Sequence, residues 1–333
     1  MDWDWIKYKI INECTYNKKY LKKNFLKKES YVVDIKEYAG KKVLNIEDTN
    51  AFIFNMIKGD HPFAVCRFGA TEMRTIHSYL QLKHFPHKDT RKKCIDQLCQ
   101  LSGFFPNDIS KGEKFVDLML EDCQMIDLFA IWNLYMEDYI IDKYAASACL
   151  SHLGSLEPWN LDSFSTKPWT SALKGKRVLV IHPFAETIDK QYHNYRTKIF
   201  EKKFKCDDIL PEFDLITLKA IQTINFNSES QKYKDWFEAL NFMVKQCEKI
   251  DFDVAIIGCG AYGLPLATAI KQMGKGAIHL GGATQLLFGI MGKRWEVEGY
   301  KEIFDQIKNE YWTRPLPEEK PQNADQIENG CYW

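Results

Sequence analysis

Apolar positions recur along this chain with two periods that alternate. "FAVCRFG" (63–69) is a continuous apolar run short enough for a buried strand, and "TEMRTIHSYL" after it has helical spacing. "DLFAIW" (127–132) is a second such run. Between them, Cys94, Leu98 and Leu101, then Phe115, Leu118 and Met119, predict a helical insertion over 88–125. After Pro168 the alternation becomes regular. "KRVLVIHP" (176–183) is a strand, and Ile188, Tyr192, Tyr195 and Ile199 mark the helix that follows. "FDLITLKAI" (213–221) is the next strand. Tyr233, Trp236, Phe237, Leu240, Met243, Val244 and Cys247 then form one amphipathic helix feeding the strand "DVAIIG", and "GAIHLGG" (276–282) closes the series. Strands alternating with helices predict right-handed crossovers and an α/β, doubly wound, mainly parallel Rossmann-like sheet with helical insertions. Ligands of such sheets sit beyond the carboxyl ends of the strands. Those ends carry Arg67-Phe68-Gly69, Trp132-Asn133, His182-Pro183-Phe184, Gly258-Cys259-Gly260 and Gly281-Gly282, which are expected to meet along one edge.

The pattern changes at both ends of the chain. Residues 1–30 hold eight Lys against four acids, with Trp3, Trp5, Ile6 and Ile10 spaced as an apolar stripe. Two readings stand there: a solvated helix face, or peripheral contact with anionic lipid headgroups. The tail "YWTRPLPEEKPQNADQIENGCYW" has three prolines and an apolar end, Cys331, Tyr332 and Trp333. It is expected to fold back as a strap onto the domain or onto a second subunit, which would make an oligomer. The expected organisation is therefore a helical extension (1–45), a single α/β domain (46–310) and an extended strap (311–333). Forty-five basic residues balance forty-five acidic ones, so no overall field draws nucleic acid. No apolar run approaches the length of a membrane span, and nothing in "MDWDWIKYKIINEC" reads as a signal peptide. Ten cysteines without a C-x-x-C pair suggest buried reduced thiols. The expected location is the cytoplasm, with peripheral contact at the inner membrane face.

Candidate chemistry concentrates in three stretches. In "DFDVAIIGCGAYGLPLATAI" a strand turns through Gly258-x-Gly260-x-x-Gly263 into a helix, so backbone N–H groups and the helix N-terminus can face a diphosphate. An NAD site also needs an acid at the end of the next strand, where this chain has His279 and two glycines. A methyltransferase wants an acid there as well. The competing account is that these glycines serve close strand–helix packing. In "FAVCRFGATEMRTI", Arg67 ends a strand, Gly69 lies in the turn and Glu72 in the first helical turn. Arg67 can grip a phosphate, and Glu72 can act as a base or metal ligand; alternatively Thr71 and Glu72 cap the helix with Arg67 as ion-pair partner. In "HPFAETIDKQYHNYR", His182 and Glu186 follow a strand, as catalytic groups or as a hydrogen-bonded histidine and a helix cap.

The segment around Arg67 resembles the Arg-Phe-Gly-Asp-Gly-Glu motif of the GT-D fold glycosyltransferases, a group associated with bacterial surface glycans and glycoproteins. The likeness extends through "VLVIHPFAETI", "AIIGCG", "GLPLATAI" and "MGKGAIHLGG", over residues 50–290. It implies a nucleotide-sugar donor held by Arg67, Gly69, Gly258, Gly260, Gly263 and Gly281, a glycan or lipid-linked glycan acceptor, and a role in cell-surface polysaccharide synthesis. The chain departs from the motif at Ala70-Thr71-Glu72, where family members carry Asp-x-Glu for a divalent cation. Glu72 is left as the one candidate ligand for Mg or Mn, and one carboxylate binds these weakly, so metal independence is the expectation. Negative charge on a leaving nucleoside diphosphate would then fall to Arg67, the Gly258–Gly263 amides and His182, with Glu72 or Glu186 taking the acceptor proton. The alternatives are a non-catalytic nucleotide-binding subunit of a glycan-synthesis complex and an NAD-dependent oxidoreductase.

Overall fold

A computed structural model describes residues 2–26, 35–161, 166–204, 209–224, 228–296, 301–320 and 330–333. Its centre is a nine-stranded sheet: β1 (Glu37–Tyr38), β2 (Lys41–Leu44), β3 (Phe63–Cys66), β4 (Leu128–Ile131), β5 (Cys149–His152), β6 (Arg177–His182), β7 (Asp214–Lys219), β8 (Val254–Ile257) and β9 (Gly276–His279). The spatial order is β1-β2-β5-β4-β3-β9-β8-β6-β7. Every pairing is parallel except the β1–β2 hairpin.

Strand side chains alternate between faces, and both faces are covered. On β6, Leu179 and Ile181 join one core while Val178 and Val180 join the other; on β3, Ala64 and Cys66 separate in the same way from Phe63 and Val65. This two-sided burial is why the central strands read as unbroken apolar runs. The helices Ala70–His84, Arg91–Ser102, Ile109–Cys123, Glu137–Tyr144, Trp236–Cys247 and Gly263–Gln272 cover the first face, around Phe68, Phe115, Phe129 and Trp236. Ile46–Lys58, Ala185–Tyr195 and Ala283–Leu287 cover the second, around Ile53, Trp169, Ile188 and Trp312. Asp235 caps Trp236–Cys247 by accepting from the Glu238 N–H at 2.9 Å, and the same carboxylate pairs with Lys111 of the inserted helix Ile109–Cys123. The insertion is thereby locked to the layer beside it. All nine described cysteines are free thiols.

The first forty-five residues are not purely helical. The helix Trp3–Leu26 forms, but β2 lies in the same segment and pairs with β5, extending the main sheet. Two lysines and a single fully buried residue, Val43, hid β2 from periodicity. Trp3 and Trp5 also part company: Trp5 is buried between His77 and His84, with ring centroids at 5.5 and 4.8 Å, whereas Trp3 is exposed. The tail packs on its own chain. Ile290 bridges Thr313, and Trp333 is buried against Phe184. Residues 321–329 of the expected strap lie outside the described residues.

Trp236 is fully buried and stacks on Tyr262 at 4.9 Å. Trp236→Ala should cost about 3–5 kcal/mol by urea denaturation, through lost transfer energy and the cavity left behind.

Candidate functional site

β3, β9, β8 and β6 are consecutive neighbours, and their outgoing connections use alternate faces. Ala70–His84 and Gly263–Gln272 follow β3 and β8 onto the first face; Ala283–Leu287 and Ala185–Tyr195 follow β9 and β6 onto the second. Diverging connections open a crevice above the strand ends. A cavity of about 180 Å³ lies there, lined by Arg67, Gly69, Ala70, Glu72, Trp132, His182, Gly258, Gly260 and Gly281 among others. The strand-end residues expected to meet do so. The cavity lining holds three arginines, Arg67, Arg74 and Arg294, against one acidic side chain, Glu72. That imbalance focuses positive potential in a low-dielectric recess.

The glycines divide by task. A Cβ on Gly258 would come within 2.6 Å of the Gly281 carbonyl oxygen and 2.7 Å of the His182 ring. One on Gly263 would overlap His279, and one on Gly281, which has φ +65°, would overlap the Arg67 guanidinium. Gly260, at φ +59°, has only the Ser102 carbonyl oxygen at 3.4 Å. Close packing accounts for Gly258 and Gly263, while Gly258 and Gly260 also line the cavity. Gly263 is not among its lining residues.

Arg67 is held at the floor. Its Nη1 donates to the Phe68 carbonyl at 2.9 Å, its charge lies 5.6 Å from the Trp132 ring, and its Nε is buried with no hydrogen-bond partner. Burial lowers its pKa, and the nearby Glu72 charge opposes that shift. A desolvated guanidinium with an unmet donor favours an anionic ligand. The Glu72 side chain is 5% exposed, accepts from Thr71 Oγ1 at 2.9 Å, and folds back into the space that a Cβ on Gly69 would need. Thr71 also bonds Ser102 Oγ, tying this helix start to the end of Arg91–Ser102.

His182 Nδ1 accepts the Phe184 N–H at 3.0 Å, so a neutral ring carries its proton on Nε2. Burial pushes its pKa down to about 3. His279 also falls to about 3, through burial and then the Arg67 charge. His182 thus serves as a neutral donor and a poor base. Glu186 is not brought to the cavity: its exposed carboxylate pairs with Lys190 at 2.8 Å. The start of its helix is capped by a residue from the tail. Glu319 accepts from the backbone N–H groups of Glu186 at 2.8 Å and Thr187 at 3.3 Å, and from the Thr187 hydroxyl.

Several site residues escaped sequence reasoning. Arg294 Nη1 donates to the Tyr332 hydroxyl at 2.6 Å, and Arg294, Tyr332 and Trp333 all line the cavity. The apolar end "CYW" signalled that the tail docks but not where. Trp132 stands on a loop with two left-handed non-glycine residues, Asn133 (φ 53°) and Met136 (φ 62°). The buried Glu137 carboxylate holds that loop by accepting the Trp132 and Leu134 N–H groups, each at 3.1 Å. Burial raises the Glu137 pKa to about 7.

Among the described residues no three His, Cys, Asp or Glu side chains converge as a metal site. Near Ala70 the donors are one carboxylate and two hydroxyls, which do not by themselves make a cage for a divalent cation.

No family model and no curated protein matches this chain. Two solved structures are similar to it. One is described as "The highly conserved domain of unknown function 1792 has a distinct glycosyltransferase fold", with a TM-score of 0.41 and 12% identity, covering 73% of this chain and 79% of that one. The other is a selenomethionine-substituted structure of the same domain, with a TM-score of 0.38 and 13% identity over the same shares.

The buried titratable groups predict an acid profile. His182 and His279 titrate near 6.5 when unfolded and near 3 when folded, so the unfolded state alone takes up protons as pH falls through that window, and stability drops. Asp122, Glu137 and Glu157 have folded values raised to about 7 from 3.8, 4.5 and 4.5, so the native state holds extra protons across their window, and stability rises as pH falls through it. Burial also lowers His77 to about 4, so three histidines and three carboxylates nearly offset each other between 6.5 and 4.5, and below that the histidine loss outweighs Asp122, the one carboxylate of the three still titrating. The urea midpoint should change little over that upper range and fall steeply under it. His182→Asn should shallow the drop.

Proposed function

We propose that the protein is a glycosyltransferase using a sugar-nucleotide donor whose diphosphate lies between Arg67 and the Gly258–Gly260 turn. The observation that carries this reading is the buried, partnerless Arg67 Nε at the floor of an arginine-lined cleft on the switch edge of a parallel sheet. Transfer breaks the anomeric C–O bond and leaves the electron pair on the diphosphate, where Arg67 and the Nε2–H of His182 lower the energy of the developing charge. The acceptor hydroxyl oxygen bonds the anomeric carbon, and Glu72, the only acidic side chain among the described cleft residues, takes its proton. Trp132 offers an exposed ring face for stacking a base or a sugar. No step is assigned to a metal ion. The acceptor is a glycan or lipid-linked glycan of surface polysaccharide synthesis, an assignment supported by the resemblance of the "RFGATE" segment.

One observation favours a second reading, a nucleotide-binding subunit without catalysis: Ala70 stands where the resembled motif has its first carboxylate, and Glu72 is engaged by Thr71. An oxidoreductase has less support, because β9 ends in His279 rather than a ribose-binding acid.

Two measurements separate these readings. Uridine diphosphate should raise the melting temperature more than NAD does, and Gly260→Val should remove that shift while the protein stays folded; preferential stabilisation by NAD with hydride transfer would defeat the proposal. Glu72→Gln keeps shape and hydrogen bonding but not charge, so turnover should fall about 10²-fold with little change in melting temperature. Unchanged turnover would assign Glu72 to capping.

A further inference from the structure

The helix Trp3–Leu26 is fixed to the domain by one face and leaves another apolar and bare. Trp5 is fully buried, the Asp2 carboxylate accepts from the Tyr139 hydroxyl at 2.8 Å, and Asn12 donates to Asp138 at 2.9 Å. On the outer side Trp3, Ile10 and Ile11 are 75%, 58% and 46% exposed. They are half of the large exposed apolar side chains among the described residues, gathered within nine positions.

The helix also has a direction. Its start pairs with the end of Glu137–Tyr144, through Asp4 and Lys143; one turn beyond its middle contacts, Asn12 accepts the Met136 N–H at 2.9 Å, just before that helix begins. The helix therefore runs toward the strand-carboxyl edge, where the cleft opens. It continues beyond Asn12 to Leu26, roughly 20 Å at 1.5 Å per residue. The sequence of this continuation, "NKKYLKKNFL" (17–26), has four lysines and no acid.

We propose that this helix lies on the surface of an anionic lipid bilayer, with Trp3, Ile10 and Ile11 in the headgroup–acyl boundary and the lysine-rich half on lipid phosphates. No described helix is long and apolar enough to cross a membrane, so this one lies along the surface. Charge selects the occupant. The continuation "NKKYLKKNFL" has no acid of its own to meet its lysines, and an anionic surface is complementary to it. The inference goes beyond the catalytic reading and stands without it.

The test is sedimentation of the full chain with vesicles of phosphatidylcholine plus phosphatidylglycerol, against phosphatidylcholine alone. Binding to the anionic vesicles should be at least about tenfold stronger and should weaken as salt rises. Trp3→Ala with Ile10→Ser and Ile11→Ser should lose about tenfold or more, as should Gln at Lys18, Lys19, Lys22 and Lys23. These variants should keep the parent melting temperature and its nucleotide-induced shift, because Trp5 and the cleft are untouched. Equal binding to both vesicle types, or a triple variant that binds like the parent, would overturn the proposal. So would light scattering that shows a dimer dissolved by the triple variant, which would assign the face to a second copy. A parent chain that keeps its nucleotide shift but binds neither vesicle type would sink this inference alone.

Discussion

Three positions at the carboxyl edge of the sheet have no room for a Cβ, and the arrangement of the charged floor depends on them. Gly258 lets β8 approach the Gly281 carbonyl and the His182 ring; Gly281 lets the turn after β9 lie against Arg67; Gly263 lets its helix start on His279. With a side chain at any of these points, the neighbouring group would have to shift, and the cleft would lose the alignment of its donors. The glycine pattern is thus first a packing device. The place of Gly260 in the cavity wall is a by-product of the same turn.

The polar groups follow from that compression. Arg67 is drawn out of water without a full set of partners, and His182 and His279 are kept neutral by burial. Such a site gains little from general base chemistry by imidazole, but it is preorganised toward negative charge: the donors are in place before a ligand arrives and need no reorientation as charge develops. The neighbouring loop shows the same economy, with Glu137 holding two left-handed residues so that Trp132 stands at the rim.

What the sequence revealed depended on whether burial left a local trace. β3, β4, β6, β8 and β9 are covered on both faces and read as apolar runs. β2 and β5 are half exposed and mix lysine, serine and histidine with their apolar residues, so no period marks them. The strand-end rule located Arg67, His182 and the glycines, because it needs only topology. It placed Glu186 wrongly in the cleft, since residues just past a strand end divide between the crevice and the outer surface according to helix phase. Arg294, Tyr332 and Glu319 reach their positions through contacts over long sequence separations, which no pattern of nearby residues reports.

Glu319 gives the cleft a handedness of charge. Three helices of ten residues or more follow β3, β6 and β8 from the cleft, and two already have an acid at their start: Glu72 folds over Gly69, and Glu319 occupies the start of Ala185–Tyr195. The start at Gly263–Gln272 has no acidic residue in its first turn. An elongated ligand with one dianionic end therefore meets an uneven field, and its two possible polarities in the crevice differ in energy before any specific recognition of its neutral end. The tail thus occupies one of these helix starts with an acid and leaves the field across the crevice uneven.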